Sequence, residues 1–314
     1  MAYIKSPLNY TGNKVRILNQ ILPHFPTGLK MTDLFCGGAN VGINSSFEEV
    51  TFIDSDLKVI GLLKTLAFQD PTKFLKEIEK IIETYNLSYS AKYTYFYYIS
   101  KISDNRNNGL KKYNSEGYYK LREDYNSLSN KQTLKANCML YTLMIYAFNN
   151  DIRFNSVGEF NLPVGKTDLN KVNIEKIYNF KEAVTKKKIE FIKSDFREKT
   201  TIDIVNKSDF VYMDPPYLIT EAVYNKTSKW NENTENQLMQ FLSYLVEIKK
   251  PFILSNVLSK SEKSNLPLSN WITNNKNQIF VYDINYHYRS SSYHKKNRNS
   301  KEKEIIVTYM GDTK

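Results

Sequence analysis

Phe210-Val211-Tyr212-Met213-Asp214-Pro215-Pro216-Tyr217 is an apolar run that stops abruptly at an acid, two prolines and an aromatic ring. The run reads as a short buried strand, and the prolines end it because neither can donate to a sheet ladder. Tips of this kind are where open α/β sheets keep their chemistry. The prolines also fix the backbone and remove two N–H donors, so nearby carbonyls are left to accept hydrogen bonds from another partner. An acidic acceptor, bare carbonyls and a stacking ring suit a planar substrate bearing an amino group, such as a nucleobase. Taken alone, the tetrapeptide is equally an ordinary strand end followed by a Pro-Pro turn, and its surroundings decide between the two.

Working outward, Met31-Thr32-Asp33-Leu34-Phe35 runs into Cys36-Gly37-Gly38-Ala39-Asn40-Val41-Gly42, which reads as a strand, a glycine-rich turn and a helix start. That order brings backbone close to a nucleotide-like ligand. Val50-Thr51-Phe52-Ile53 then ends in Asp54, and an acid at the tip of the second strand is where such sheets hydrogen-bond ribose hydroxyls. Asp56 is expected as a helix N-cap. Helical spacing follows over Leu57 to Phe68 and Thr72 to Tyr85. From Leu87 to about Lys135 the chain is polar and rich in Tyr, Asn, Lys and Ser, and the α/β alternation lapses. Leu134 to Phe148 resumes a helix, and Asn149 to Gly165 reads as a loop.

Further strands are expected at Ile189 to Ile192, ending near Asp195, at Phe210 to Met213, at Phe252 to Ser255, at Gln278 to Asn285 and at Glu304 to Tyr309. The last two are read as an antiparallel hairpin around Tyr286 to Glu302. The expected fold is therefore α/β, a mostly parallel seven-stranded sheet carried by residues 1–66 and 189–314, with residues 67–188 inserted between its second and third strands.

Composition limits the partners. The chain of 314 residues is 41% hydrophobic, enough for a sizeable core, and its 44 Lys+Arg against 33 Asp+Glu leave a formal charge of +11. That balance favours a polyanion, nucleic acid first, and an aromatic content of 14% adds flat surfaces for stacking on bases. Two cysteines, Cys36 and Cys138, and three histidines make neither a disulfide framework nor metal-ligand spacing. Neither an apolar leader over Met1 to Tyr10 nor a stretch of membrane-spanning length is read, so a soluble cytoplasmic protein without a metal is expected.

Glycine-rich turn, ribose-type acid and Asp214-Pro215-Pro216-Tyr217, in that order, resemble the Dam-type, D12 class (alpha group) S-adenosylmethionine-dependent DNA adenine methyltransferases. Asn9-Tyr10-Thr11-Gly12-Asn13-Lys14 resembles that family's aromatic-x-Gly-x-Lys opening. Tyr118-Tyr119-Lys120-Leu121-Arg122, Arg153-Phe154-Asn155 and Gly158 to Gly165 resemble its target-recognition segment. Ile253 to Asn256 and the tail from Tyr288-Arg289-Ser290-Ser291 to Lys303-Glu304-Ile305-Ile306 fit its closing strands.

The resemblance implies a Rossmann-like methyltransferase sheet with a mainly helical target-recognition insertion. It implies S-adenosylmethionine as cofactor, held by Tyr10, Lys14, Asp33, Phe35, Cys36, Gly37, Gly38, Asp54, Asp195, Phe196 and Asp214. Within that set Asp54 would take the ribose hydroxyls and Asp195 the amino group of the cofactor's adenine. Asp214, Pro215, Pro216 and Tyr217 would be catalytic: two acceptors for the target amino group and a ring stacking on a base flipped out of the duplex. Double-stranded DNA is the implied partner, and a cognate restriction endonuclease would act separately. Asn9, Asn149, Asp151, Arg153, Asn155, Asn161, Arg289, Lys295 and Lys296 are the candidate DNA contacts, Arg153 first because a guanidinium reads a guanine edge bidentately. Where GATC-specific enzymes carry Lys and an apolar residue, this chain has Asn9 and Asp151, which leaves the target sequence open. Cytosine-N4 methylation, RNA adenine methylation and a non-catalytic DNA-binding protein are the competing readings. Asp214, where cytosine enzymes more often carry Ser, counts against the first.

Overall fold

The structure, a computed structural model, describes residues 3–10, 12–102, 108–219, 230–284 and 302–311. Eight strands form one sheet among them: β1 Lys30–Leu34, β2 Glu49–Asp54, β3 Lys188–Lys193, β4 Phe210–Met213, β5 Phe252–Lys260, β6 Lys263–Ser264, β7 Phe280–Asp283 and β8 Glu302–Tyr309. Their order is β3-β2-β1-β4-β5-β8-β7, with β6 paired to β5. The ladders β2–β1, β1–β4 and β4–β5 are parallel, while β8 runs antiparallel to both β5 and β7.

The sheet thus has eight strands rather than the expected seven. The additional strand, β6, is two residues long and folds back on the end of β5, too short to leave an alternation in the sequence. The expected closing hairpin is present as β7 and β8, and residues 285–301 of the connection lie outside the described residues.

β1 has β2 on one side and β4 on the other, so the winding direction reverses there. Ligands of open α/β sheets bind beyond the carboxyl ends of the strands at that reversal. Leu34 and Met213, the last residues of β1 and β4, are register partners. The residues that follow them, Phe35 and Asp214, are therefore delivered to one edge. β4 is buried at all four positions, as a central parallel strand covered on both faces requires.

The chain divides into two compact units, Met1–Val15 with Gly37–Ile43 and Asp56–Phe191, and Arg16–Cys36 with Asn44–Ser55 and Ile192–Lys314. The first unit thus takes in the N-terminal segment and the helix start after the glycine turn, in addition to residues 67–188. It is largely helical. Leu134–Tyr146 is buried along its length from Ala136 onward, and the helices Leu57–Phe68, Pro71–Thr84 and Lys111–Ser127 pack against it. Asp56 caps Leu57–Phe68 by accepting from the amides of Lys58 (2.8 Å) and Val59 (3.4 Å), as expected of that acid.

In the second unit, the core joins Leu34, Ile53, Val211, Met213, Leu254 and Val307 of the sheet to Leu238, Leu242 and Leu245 of the helix Glu232–Glu247. Among the described residues no helix is long and apolar enough to cross a membrane. Nor is any group of three or more His, Cys, Asp or Glu side chains among them placed to hold a metal ion.

Candidate active site

β4 ends at Met213, and the amide of Asp214 makes one last bond to the carbonyl of Leu34 (3.4 Å) before the prolines prevent further pairing. The Asp214 carboxylate is oriented by its own motif: the Tyr217 hydroxyl donates to Oδ1 at 2.8 Å. Burial, and then the charge of Asp214, push the Tyr217 phenol well above its ordinary value. The hydroxyl therefore keeps its proton and acts as a donor at neutral pH. Two residues back along β4, the Tyr212 hydroxyl and Ser255 Oγ are 2.8 Å apart in the interior, tying β4 to β5 behind the tip.

The second unit also carries three aromatic rings next to the strand ends. Phe35, just past β1, adopts a positive φ of 62° and meets Phe196 at 5.6 Å and Trp230 edge-on at 5.8 Å, while Phe196 and Trp230 lie 5.9 Å apart. Asp54 closes β2, where its carbonyl accepts from the amide of Ser194 (3.1 Å) and the Cys36 amide donates to Ile53 (3.0 Å). Asp33 lies inside β1, buried. Burial above all, then Asp54 and Asp33, raise the Cys36 thiol well above the ordinary range. It is a small inert side chain there, not a nucleophile. Asp195 follows β3 and is engaged by Arg197, whose Nε and Nη2 donate at 2.6 and 3.0 Å while its amide donates at 3.0 Å. Burial alone would raise the Asp195 carboxyl, but these bonds hold it below the usual range. Its acceptor capacity is thus already directed at Arg197.

Trp230 has no periodicity or motif in the sequence to mark it. Its indole N–H donates at 2.6 Å to Glu235, a fully buried acid that also accepts from Asn265 (2.7 Å) and Asn256 (3.3 Å). Burial pushes the Glu235 carboxyl up against these three donors. Glu235→Ala would leave three buried donors without their acceptor, each costing about 1–3 kcal/mol. A fall in Tm on the order of 5 °C is expected by calorimetry, together with a changed Trp emission. Unchanged melting would mean that the network contributes nothing.

The first unit holds the opening motif. Gly37 has φ +46°, and a Cβ there would stand 2.8 Å from the Tyr10 ring; at Gly38 it would meet Asn40 Nδ2 at 3.0 Å and the Leu8 carbonyl at 3.3 Å. Both glycines thus allow the N-terminal segment to lie directly on the turn, and the Ser6 amide donates to Asn40 Oδ1 (2.9 Å) to hold it. Lys14 is only 4% exposed and its ammonium donates to the Gly12 carbonyl at 3.1 Å, so it is an interior cation and not a surface lysine.

The segment after Leu134–Tyr146, expected as a loop, is a hairpin. The Gly165 amide donates to Tyr146 (2.7 Å) and Phe148 to Pro163 (2.8 Å) at its base; near the tip Asn161 donates to Arg153 (3.1 Å) and Asn155 to Glu159 (2.8 Å). Isolated bridges pair Ala147 with Val164 and Phe154 with Phe160. Arg153 is half-buried and its Nε donates to Asn161 Oδ1 (2.8 Å), so two candidate contacts are held together. Asn155 serves the turn itself, accepting from Val157 (3.1 Å) and Glu159 (2.9 Å) and donating to the Glu159 carboxylate (3.0 Å). Asn149, at φ 58°, accepts through its carbonyl from Asn9 Nδ2 (3.0 Å). Asp151 Oδ1 accepts from the amide of Ile152 at 2.8 Å. The candidate contacts Arg289, Lys295 and Lys296 lie outside the described residues.

A family profile described as D12 class N6 adenine-specific DNA methyltransferase matches residues 10–281. The chain is 33% identical over its whole length to the Type II methyltransferase M.FokI of Planomicrobium okeanokoites, covering 44% of that protein. It is 32% identical over 98% of its length to the modification methylase StsI of Streptococcus sanguinis, covering 43% of it. The retron Ec67 DNA adenine methylase of Escherichia coli is 25% identical over 79% of the chain and 76% of its own length. The chain spans less than half the length of the first two relatives.

Proposed function

Because the chain belongs to the D12 class N6 adenine-specific DNA methyltransferase family, we propose that it methylates the exocyclic amino group of a flipped-out adenine within a short duplex DNA sequence. The observation that carries this reading is the Asp214-Pro215-Pro216-Tyr217 tip, at the sheet's reversal point with its carboxylate already oriented by Tyr217.

An adenine amino nitrogen is a poor nucleophile because its lone pair is delocalised into the ring. Asp214 accepting one amino hydrogen and the Pro215 carbonyl accepting the other would draw the nitrogen toward tetrahedral geometry and free the lone pair. Both acceptors stand on a backbone that two prolines stiffen, so little reorganisation is needed as charge develops on the nitrogen. The Tyr217 ring would stack on the extruded base. As the amino nitrogen takes the methyl group from the sulfonium it would lose a proton, which Asp214 would accept and pass to solvent.

The cofactor in this reading is S-adenosylmethionine, which supplies an electrophilic methyl group on a sulfonium sulfur. The donor set fits its nucleoside: Asp54 at the end of β2 for the ribose diol, and the partly buried Phe35 ring, backed by Phe196 and Trp230 of the core, for the purine. Tyr10, Lys14, Asp33, Cys36, Gly37, Gly38 and Asp195 complete the proposed set, Asp195 through an oxygen that Arg197 would have to share. Arg153 and Asn161 on the hairpin, with Asn149, Asp151 and Asn155 of the same insertion spanning 67–188 and with Asn9 bonded to the Asn149 carbonyl, form the proposed DNA-reading face. Relatives named as modification methylases favour a role beside a separately acting restriction endonuclease.

The test is transfer of label from S-adenosylmethionine to duplex DNA, followed by nucleoside analysis and sequencing of the modified positions. Label in N6-methyladenine at one short sequence is expected. Label only in cytosine, or only in RNA, would overturn the proposal.

A further inference from the structure

The hairpin that bears Arg153 is gripped from one side by a single stripe of the helix Lys111–Ser127. Tyr118, Arg122 and Asn126 are spaced i, i+4 and i+8, so they share one face of that helix. All three bond to hairpin backbone. The Tyr118 hydroxyl (3.0 Å) and Arg122 Nη1 (3.1 Å) both donate to the Leu162 carbonyl. Asn126 bonds Phe160 twice, donating to its carbonyl at 3.0 Å and accepting from its amide at 2.8 Å.

The residue between those two anchor points is Asn161, whose Oδ1 orients the Arg153 guanidinium at 2.8 Å. On the other strand of the hairpin, the Phe154 ring, next to Arg153 in sequence, has its centroid 4.1 Å from the ammonium of Lys58 in the helix Leu57–Phe68. Both strands of the hairpin are thus held from outside it, and the group that aims the guanidinium has both its neighbours pinned.

We propose that Tyr118, Arg122 and Asn126 are positioning residues for sequence selectivity, fixing the height and direction of Arg153 without contacting DNA themselves. The inference rests on the reading of Arg153 as a base-reading residue. A bidentate contact to one base edge discriminates only when its geometry is met, and is worth about 1–3 kcal/mol against the wrong base. Loosening the Leu162 and Phe160 anchors therefore costs discrimination before it costs the fold, because Phe160 and Leu162 remain buried by their own apolar contacts.

The experiment compares wild-type protein with Arg122→Met, which keeps the packing stem and removes the donor, and with Asn126→Asp, which keeps the acceptor for Phe160 and removes the donor. Each is used to select bound duplexes from a randomised DNA library, and then assayed for methyl transfer at the selected site and at sites with one base changed. A fall of about tenfold in the preference for the selected site is expected, with Tm close to wild type and Arg122→Lys recovering part of it. Unchanged preference in both variants, whatever happens to rate or melting, would overturn the proposal, and so would failure of both to fold. Wild-type protein that enriches a motif yet transfers no methyl group would instead sink the proposed function, and the binding preference would still test Arg122 and Asn126.

Discussion

Asp214→Ala is expected to reduce methyl transfer by about 10³-fold, since removal of a single preorganised hydrogen-bonding group at a reacting centre costs about 10²–10³ in rate and here the orienting bond from Tyr217 is lost with it. Single-turnover transfer from labelled S-adenosylmethionine measures the chemical step, and anisotropy on the same duplex measures binding. Binding close to wild type is expected, because Asp214 belongs to the second unit while the proposed base-reading hairpin belongs to the first. Asp214→Asn is the informative companion: it preserves shape and one acceptor oxygen but replaces the other oxygen with a donor facing the amino group. Retained transfer in either variant would remove Asp214 from the proposed chemistry.

Gly117→Ala is expected to be among the most destabilising single-methyl additions in the chain. A Cβ at this position would lie 1.8 Å from the Tyr85 carbonyl oxygen and 3.0 Å from its carbonyl carbon. Neither is the end of a flexible side chain, so the helix Lys111–Ser127 or the end of Pro71–Thr84 would have to move. Overpacking of this kind costs about 1–3 kcal/mol even where side chains can adjust, and a backbone clash belongs at or beyond the upper end. Helix propensity works in the opposite direction by only about 1 kcal/mol. Calorimetry should show a lower Tm or loss of the cooperative transition, and a Tm equal to or above wild type would refute the clash. Gly117 is the residue before Tyr118, so a folded variant would also shift the stripe that holds the hairpin.

Much of the sheet could be read from the chain because its central strands are short, largely apolar runs ending at a residue of different chemistry. β1 ends before a glycine turn, β2 at Asp54 and β4 at Asp214. Parallel strands buried on both faces leave continuous apolar runs, and those survive any uncertainty about the boundary. The helix Lys111–Ser127 was invisible for the converse reason. Its buried stripe is Asn114, Tyr118, Leu121 and Tyr125, a 4-3-4 spacing with a single aliphatic member set among polar and further Tyr residues, and with Gly117 in the middle lowering helix propensity.

At the candidate site the motif residues were legible as chemistry and not as partners. Asp56 was identified as a cap because capping depends on residues two and three positions away. The pairing of Asp195 with Arg197 is equally local, yet the sequence offers no rule that prefers it to a ligand. The joining of Arg153 to Asn161 depends on a hairpin whose two bridges link residues 6 and 17 positions apart. Trp230 and Glu235 acquire meaning only through Asn256, Asn265, Phe35 and Phe196, which the fold brings to them.

By itself the amino-acid sequence determined the class of fold, the order of the strands along the chain, the acids and prolines at their tips, and the family, because these are properties of contiguous residues and of their order. The tertiary structure alone decided which carbonyl each buried donor finds, that Lys14 lies inside, that Tyr217 orients Asp214, and that a polar helix holds the hairpin carrying Arg153. Those are long-range pairings or choices among local partners, selected by the requirement that buried polar groups be satisfied, and that requirement acts only once the chain has packed.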